Sequence, residues 1–344
     1  MRTHWPTLAA RHSARSRPRR RPSAPALPCS RPGRTTASCA IGHEHPDAQT
    51  LLKEASLLNS EQRVSKTRIC ICVDDFGLSE GVNTAVLTLV AQRRVHATSC
   101  MVFAPAWVGG AAALHQLDGH RMDIGLHLDF TEYTSQPSMR HSLRALIVKS
   151  MFGLLDTAEI RAEIQAQFDA FERAMGRRPD FIDGHQHVHQ LPCIRDMLVA
   201  EMQQRYGHAR PWIRISQGLP FGAEVRTSGW RVAVKSAVIS VLGSRALSGL
   251  ARRAGIARNG RLLGIHGFGS DEEGYRSQLE KWLNAATDTD LLMCHPSAQA
   301  SADDPIGEAR EIEFLVLQGA VLPRMLAERG ISLLPMSQMR CTQR

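Results

Sequence analysis

The chain has 344 residues, of which 43% are hydrophobic and 22% charged, and it carries a formal charge of +9 at neutral pH. That balance permits a sizeable buried core and excludes a fibre or a globally disordered chain. Residues 1–40 hold nine Arg and no Asp, Glu or Lys. The excess charge therefore lies in that segment, and the formally neutral remainder lacks the basic field of a dedicated nucleic-acid binder.

Residues 1–66 read as an Arg/Pro/Ser-rich tail, expected to be disordered, ahead of a single domain over residues 67–344. The tail is basic but has no apolar segment after it, which argues against a secretory signal. From Arg68 onward, short apolar runs alternate with longer amphipathic stretches, as in parallel strands joined by crossover helices. The strands are expected at 69–73, 98–103, 122–128, 181–183, 212–215, 262–265, 291–294 and 331–334. Ser79 can cap a helix running to about residue 93. Thr157 opens the clearest helix, with Ile160, Ile164, Phe168 and Phe171 on one face and Gly176 as its stop.

Residues 217–257 make a long excursion between two expected strands. Val232, Val234, Ala237, Val238, Val241 and Leu242 form an apolar surface there, with Arg231, Lys235, Arg245, Arg252 and Arg253 at its margins. Either it is an ordinary barrel helix with its apolar side on the strands, or it is a lid whose basic margins suit an anionic lipid surface. The most apolar run, 232–250, is interrupted by Lys235 and Arg245, so no membrane-spanning segment is expected. Eight cysteines without CxxC spacing, two of them in the first expected strand, fit reduced thiols and a cytoplasmic location.

The polar residues decide between an open sheet and a closed barrel. Asp74 and Asp75 follow the first strand, His127 ends the third, and His185, His266 and His295 follow the fourth, sixth and seventh. Contributions from so many strand ends converge most simply in a (β/α) barrel of about seven to eight strands.

Four motifs carry chemistry. In Val73-Asp74-Asp75-Phe76-Gly77, one carboxylate can hold a divalent cation while its neighbour acts as base, although an Asp pair can also simply cap a helix. His127 sits inside an apolar strand, where a lone His is more often a hydrogen-bonded core residue. Asp183-Gly184-His185-Gln186-His187-Val188-His189 is the strongest signal, because in extended chain its three imidazoles could share one face. His295, before Pro296, would be held at a strand exit, where it could protonate a leaving group.

Together these stretches resemble the YdjC-like family of carbohydrate deacetylases (the ChbG/HpnK group). The matching segments are DDFGLSEGVN at 74–83, GLHLDFTE at 125–132, DGHQHVHQLP at 183–192 and CHP at 294–296. The resemblance implies a distorted barrel, one divalent metal ion (Mg2+ by family, Zn2+ on ligand chemistry) and hydrolysis of an N-acetyl group on an amino sugar. Carried over, Asp75, His127 and His185 are metal ligands, Asp74 the catalytic base and His295 the acid. The implied partner is an acetylated sugar or glycolipid, with no nucleic acid; peripheral membrane contact and a homodimer are compatible with it.

The chain departs from the family at Cys72-Val73, where Asn-Ala is usual, and before His295, where an acidic residue is often found. It departs also at Asp129, where a neutral or apolar residue is common. Two other readings are a metal-dependent phosphoesterase, which would call for a second metal, and a catalytically silent sugar-binding barrel, which would need neither Asp74 nor His295.

Overall fold

The computed structural model describes residues 67–117 and 122–339; the expected tail, residues 1–66, lies outside them. Eight strands lie among the described residues: β1 (Arg68–Phe76), β2 (Ala97–Cys100), β3 (Asp123–Leu128), β4 (Phe181–Gly184), β5 (Trp212–Ile213), β6 (Leu262–Leu263), β7 (Leu291–Cys294) and β8 (Ser332–Leu333). All pair in parallel, in the order β5-β4-β3-β2-β1-β7-β6, with β8 on β1. The curled sheet does not close through a β5–β6 ladder. Irregular residues 257–261 and the start of β6 span that gap instead: Ile213 N–H donates to Ala257 O at 2.9 Å, Leu262 N–H to Gln217 O at 2.8 Å, and Asn259 Oδ1 accepts from Ile215 N at 2.7 Å. The expected barrel is thus present in a distorted form.

Eleven helices lie among the described residues: α1 (Glu80–Ala91), α2 (Trp107–Leu114), α3 (Leu143–Met151), α4 (Thr157–Met175), α5 (Ile194–Tyr206), α6 (Phe221–Ser228), α7 (Trp230–Ile239), α8 (Arg245–Arg253), α9 (Glu272–Ala285), α10 (Gly307–Gln318) and α11 (Val321–Glu328). Ser79 caps α1 by accepting from Val82 N. α4 opens at Thr157 as expected, with Asp156 as its N-cap, and Gly176 ends the helix in the left-handed conformation that glycine favours.

Strand pleating sorts the core. Ile69, Ile71 and Val73 of β1 pack outward with the helices, whereas Cys70 and Cys72 belong to a separate inner cluster with Phe181, Trp212, Leu262, Leu291 and Met293. The same alternation sends Leu126, Ile182, Ile213 and Leu292 outward. Side chains two residues along from the inner apolar ones continue the inner face. On that face stand Asp74 after Cys72, Asp183 after Phe181, Arg214 after Trp212 and His295 after Met293. Pleating alone therefore gathers these groups above an apolar floor in which Phe181 and Trp212 stack at 4.3 Å.

The 217–257 excursion is not an ordinary barrel helix. It comprises α6, α7 and α8, and in α7 only Ala233 and Ser236 are buried. Trp230, Val234, Val238 and Val241 are exposed, Val241 to 81%. The run Trp230–Arg253 is long and apolar enough by count to cross a membrane. It is bent at Gly243, where φ is +153° and a Cβ would come within 1.9 Å of Gln190 O.

Candidate active site

β1 ends irregularly: its register with β2 shifts between Val73 and Phe76, and Asp75 takes φ +66°, a costly conformation for a non-glycine residue. The irregularity turns the two carboxylates to different partners. Asp74 accepts two hydrogen bonds from Arg214, from Nη1 and Nη2, both at 2.6 Å. Asp75 accepts from Arg310 Nη2 through Oδ2 at 2.8 Å, which leaves Oδ1 facing two imidazoles. His127 Nε2 lies 3.2 Å and His185 Nδ1 3.0 Å from that oxygen.

His127 is buried, and both its ring nitrogens face carboxylates. Its Nδ1 lies 2.7 Å from Asp183 Oδ1 and 3.0 Å from Ser99 Oγ, so the ring is oriented from behind with Nε2 toward Asp75. Burial drives both Asp74 and Asp75 upward in pKa, but the guanidiniums outweigh it. Arg214 holds Asp74 below the ordinary carboxylate range, and Arg310 with His185 holds Asp75 well below it. For His127, burial favours the neutral ring, yet Asp183 and Asp75 push it up to about 9; His185 is likewise raised, by Asp75 and Glu132. Such a cluster favours positive charge.

The trio also fits a small divalent ion. Two imidazole nitrogens converge on Asp75 Oδ1 from 3.0 and 3.2 Å, a donor set of the kind that holds a divalent ion. One donor atom from each of Asp75, His127 and His185 can be chosen so that all lie within 4.8 Å of one another.

The three histidines of the 183–189 motif do not share a face. After Gly184 the chain leaves β4 into 3₁₀ turns, with Gln186 at φ +51° and His187 at φ +62°, so the extended spacing of two no longer holds. His185 goes to Asp75, His187 Nδ1 to Ser216 Oγ at 3.0 Å, and His189 Nε2 to Arg214 O at 3.0 Å.

His295 leaves β7 beside the same carboxylates, its Nε2 3.9 Å from Asp74 Oδ2. The missing acid before His-Pro is replaced from a distance: Glu313 on α10 accepts from His295 N at 2.6 Å, and its other oxygen lies 2.8 Å from His266 Nε2. Asp290 is committed elsewhere, accepting from Arg261 N at 2.9 Å. His266 is therefore a support of the His295 strand exit rather than part of the Asp-His-His cluster.

Four further groups escape the sequence reading. Arg214 had a signal, as the charged member of an alternating Trp212-Ile213-Arg214-Ile215 strand. It is wholly buried, and its Nη2 lies 2.9 Å from Cys72 Sγ, 2.6 Å from Asp74 Oδ1 and 2.7 Å from Asp183 Oδ2. Glu132 had one too, as the last residue of the GLHLDFTE segment, but Arg310 and Glu313 had none, because helix residues far along the chain meet the site only on folding. All the groups expected at the site, Asp74, Asp75, His127, His185 and His295, line one cavity of about 660 Å3, a usual size for a small-molecule site. One wall of it is apolar, from Leu143 and Ile147 of α3 and Val238, Ile239 and Leu242 at α7.

Fold and site define a distorted (β/α) barrel enzyme with a carboxylate and two imidazoles at the mouth, flanked by an arginine-held carboxylate and a histidine. The chain belongs to the YdjC-like protein family, whose model matches residues 68–328. It is 25% identical over 299 residues to the carbohydrate deacetylase of Homo sapiens, covering 78% of this chain and 90% of that protein. It is 27% identical over 277 residues to the chitooligosaccharide deacetylase of Serratia marcescens, covering 77% and 96%. In fold it is similar to a solved Enterococcus faecalis V583 protein described as a candidate cellobiose-phosphate cleavage protein, with TM-score 0.59 and 17% identity over 80% of this chain and 99% of that one.

Proposed function

We propose that this protein is a hydrolase that removes the N-acetyl group from an acetylated amino sugar, with Asp75, His127 and His185 holding one divalent ion. The observation that carries the reading is the meeting, in one cavity, of that trio with Asp74 and His295. A bound ion would polarise the acetamide carbonyl and lower the pKa of a water molecule. Asp74, kept ionised and fixed in direction by the Arg214 fork, accepts the proton of the attacking water. His295 delivers a proton to the departing amine nitrogen, with Glu313 fixing its main chain. Two imidazoles with one carboxylate suit Zn2+ better than Mg2+, which prefers oxygen ligands.

A two-metal phosphoesterase fits less well. Cys72, Asp74 and Asp183 form a second set of closely spaced donors, but the Arg214 guanidinium already stands among all three. A silent sugar-binding barrel would have no use for a carboxylate fixed by a buried arginine beside a histidine.

The sugar acceptor is either a free oligosaccharide or a glycolipid. Exposed apolar side chains on the two helices that wall the cavity, among them Val148 and Met151 on α3 and Val234 and Val238 on α7, favour the glycolipid and a peripheral contact with the membrane that presents it. The free thiols of Cys72, Cys100, Cys193 and Cys294 suit a cytoplasmic setting. The test is release of acetate from N-acetylglucosamine oligomers and glycolipids by the purified protein with Zn2+, Mg2+ and other divalent ions. No acetate from any combination would end the reading.

A further inference from the structure

The loop after β3 carries two acidic side chains, Asp129 and Glu132, that the proposed reaction leaves unused. Asp129 is buried and gathers donors from the next turn. Its Oδ1 accepts from Thr131 N at 2.7 Å and Thr131 Oγ1 at 2.9 Å, its Oδ2 from Tyr133 N at 2.6 Å, and the pair from Glu132 N at 3.1 and 3.2 Å. Gln167 on α4 brackets the Asp129 main chain, accepting from its N at 3.0 Å and donating to its O at 2.6 Å. Glu163, one turn earlier, accepts from Ser135 N at 3.0 Å and from the Ser135 hydroxyl. Residues 129–135 are held at both ends.

What this knot delivers to the site is one carboxylate. Glu132 Oε1 stands 3.0 Å from His185 Nε2, while His185 Nδ1 faces Asp75 Oδ1 at 3.0 Å. A metal-ligating imidazole binds through one nitrogen and is oriented by the hydrogen bond its other nitrogen donates. His127 has that arrangement already, with Asp183 on Nδ1 and Nε2 toward Asp75.

We propose that Glu132 is a positioning residue of the metal site: it accepts the Nε2–H of His185, turns Nδ1 toward the ion, and is itself set in place by the Asp129 knot. The inference rests on the metal reading of Asp75, His127 and His185. It makes the site a pair of carboxylate-backed imidazoles of opposite tautomer, one backed by the wholly buried Asp183 and the other by a side chain 41% exposed. It also gives the buried Asp129 a task. An acid there can accept from several donors at once, where an apolar side chain accepts from none.

The test is calorimetric titration of Zn2+ and Mg2+ into the full chain and into Glu132→Ala and Glu132→Gln, with no substrate present. Long-range 1H–15N spectra of the imidazoles in the zinc-loaded wild type accompany it. Glu132→Ala should bind the ion 10- to 100-fold more weakly, the usual effect of removing such a partner, with an unchanged circular dichroism spectrum. Glu132→Gln keeps an acceptor oxygen and should stay nearer the wild type than the alanine variant. The spectra should show His185 protonated on Nε2.

Wild-type affinity in Glu132→Ala overturns the proposal, as does a His185 bound to zinc through Nε2. Equal losses in the two variants also overturn it, since the carboxylate would then be a ligand in its own right. Absence of ion binding by the wild type itself overturns the underlying metal reading, and that failure is distinct because every protein would then be silent.

Discussion

Arg214→Met removes the guanidinium that pairs with two buried carboxylates, Asp74 (3% exposed) and Asp183 (0%), while keeping most of the side-chain volume. Removing one partner of a buried ion pair typically costs about 3–5 kcal/mol, because a charge is left uncompensated. At about 2–4 °C per kcal/mol for a domain of this size, the melting temperature should fall by roughly 6–20 °C near neutral pH. The pH dependence has a definite sign. In the wild type Asp74 is depressed by Arg214, so its contribution to stability is present above the unfolded value near 3.9 and is lost as pH falls through the folded value. In the variant burial is the largest influence left and raises the Asp74 pKa, so stability is instead lost as pH rises. The gap between the two melting temperatures should be widest at pH 7–8 and narrowest near pH 4, measured by calorimetry or circular dichroism. Turnover on an N-acetylated oligosaccharide should fall by about 10² or more with the base misdirected. A variant melting within about 2 °C of the wild type, less than the shift expected from 1 kcal/mol, with a gap that does not change with pH, would refute the argument that Arg214 sustains these charges.

His127→Ala and His185→Ala should each abolish stoichiometric metal binding, read by calorimetry, while circular dichroism reports an intact fold. Asp74→Asn should keep the ion and lose about 10² or more in kcat; equal loss of metal from Asp74→Asn and Asp75→Asn would remove the distinction between base and ligand. Gly264→Ala places a Cβ 2.1 Å from Met293 O at φ +97°. It should cost about 1–3 kcal/mol, seen as a lower melting temperature. If the acceptor is a glycolipid, Val238→Ser with Val241→Ser should lower kcat/KM on N-acetylglucosaminyl lipid and spare soluble N,N'-diacetylchitobiose; equal effects on both would leave the soluble sugar as substrate.

Much of the site was written in the chain as period and punctuation. Alternation in β1, β3, β5 and β7 assigns one side of each strand to the helices and the other to the lumen, and the polar residues ending the inner rows, Asp74, His127, Arg214 and His295, are visible as interruptions of apolar runs. Local sequence therefore determined a parallel barrel-like sheet and its strand positions to within a few residues, whereas the grouping of Asp75, His127 and His185 followed from the resemblance of the motifs to a known family.

Partnership was beyond its reach, because hydrogen bonds across 140 or 235 residues depend on how the sheet curls, and no local spacing encodes that. Only the tertiary structure assigned Arg214 to Asp74, Arg310 to Asp75 and Glu313 to His295. It also dispersed the histidines of the 183–189 motif, since the positive φ of Gln186 and His187 overrides the period-two reading. The apolar face of α7 was legible as a pattern, but its exposure was decided by packing: only Ala233 and Ser236 of α7 are buried, and an amphipathic run cannot by itself reveal which face finds a partner.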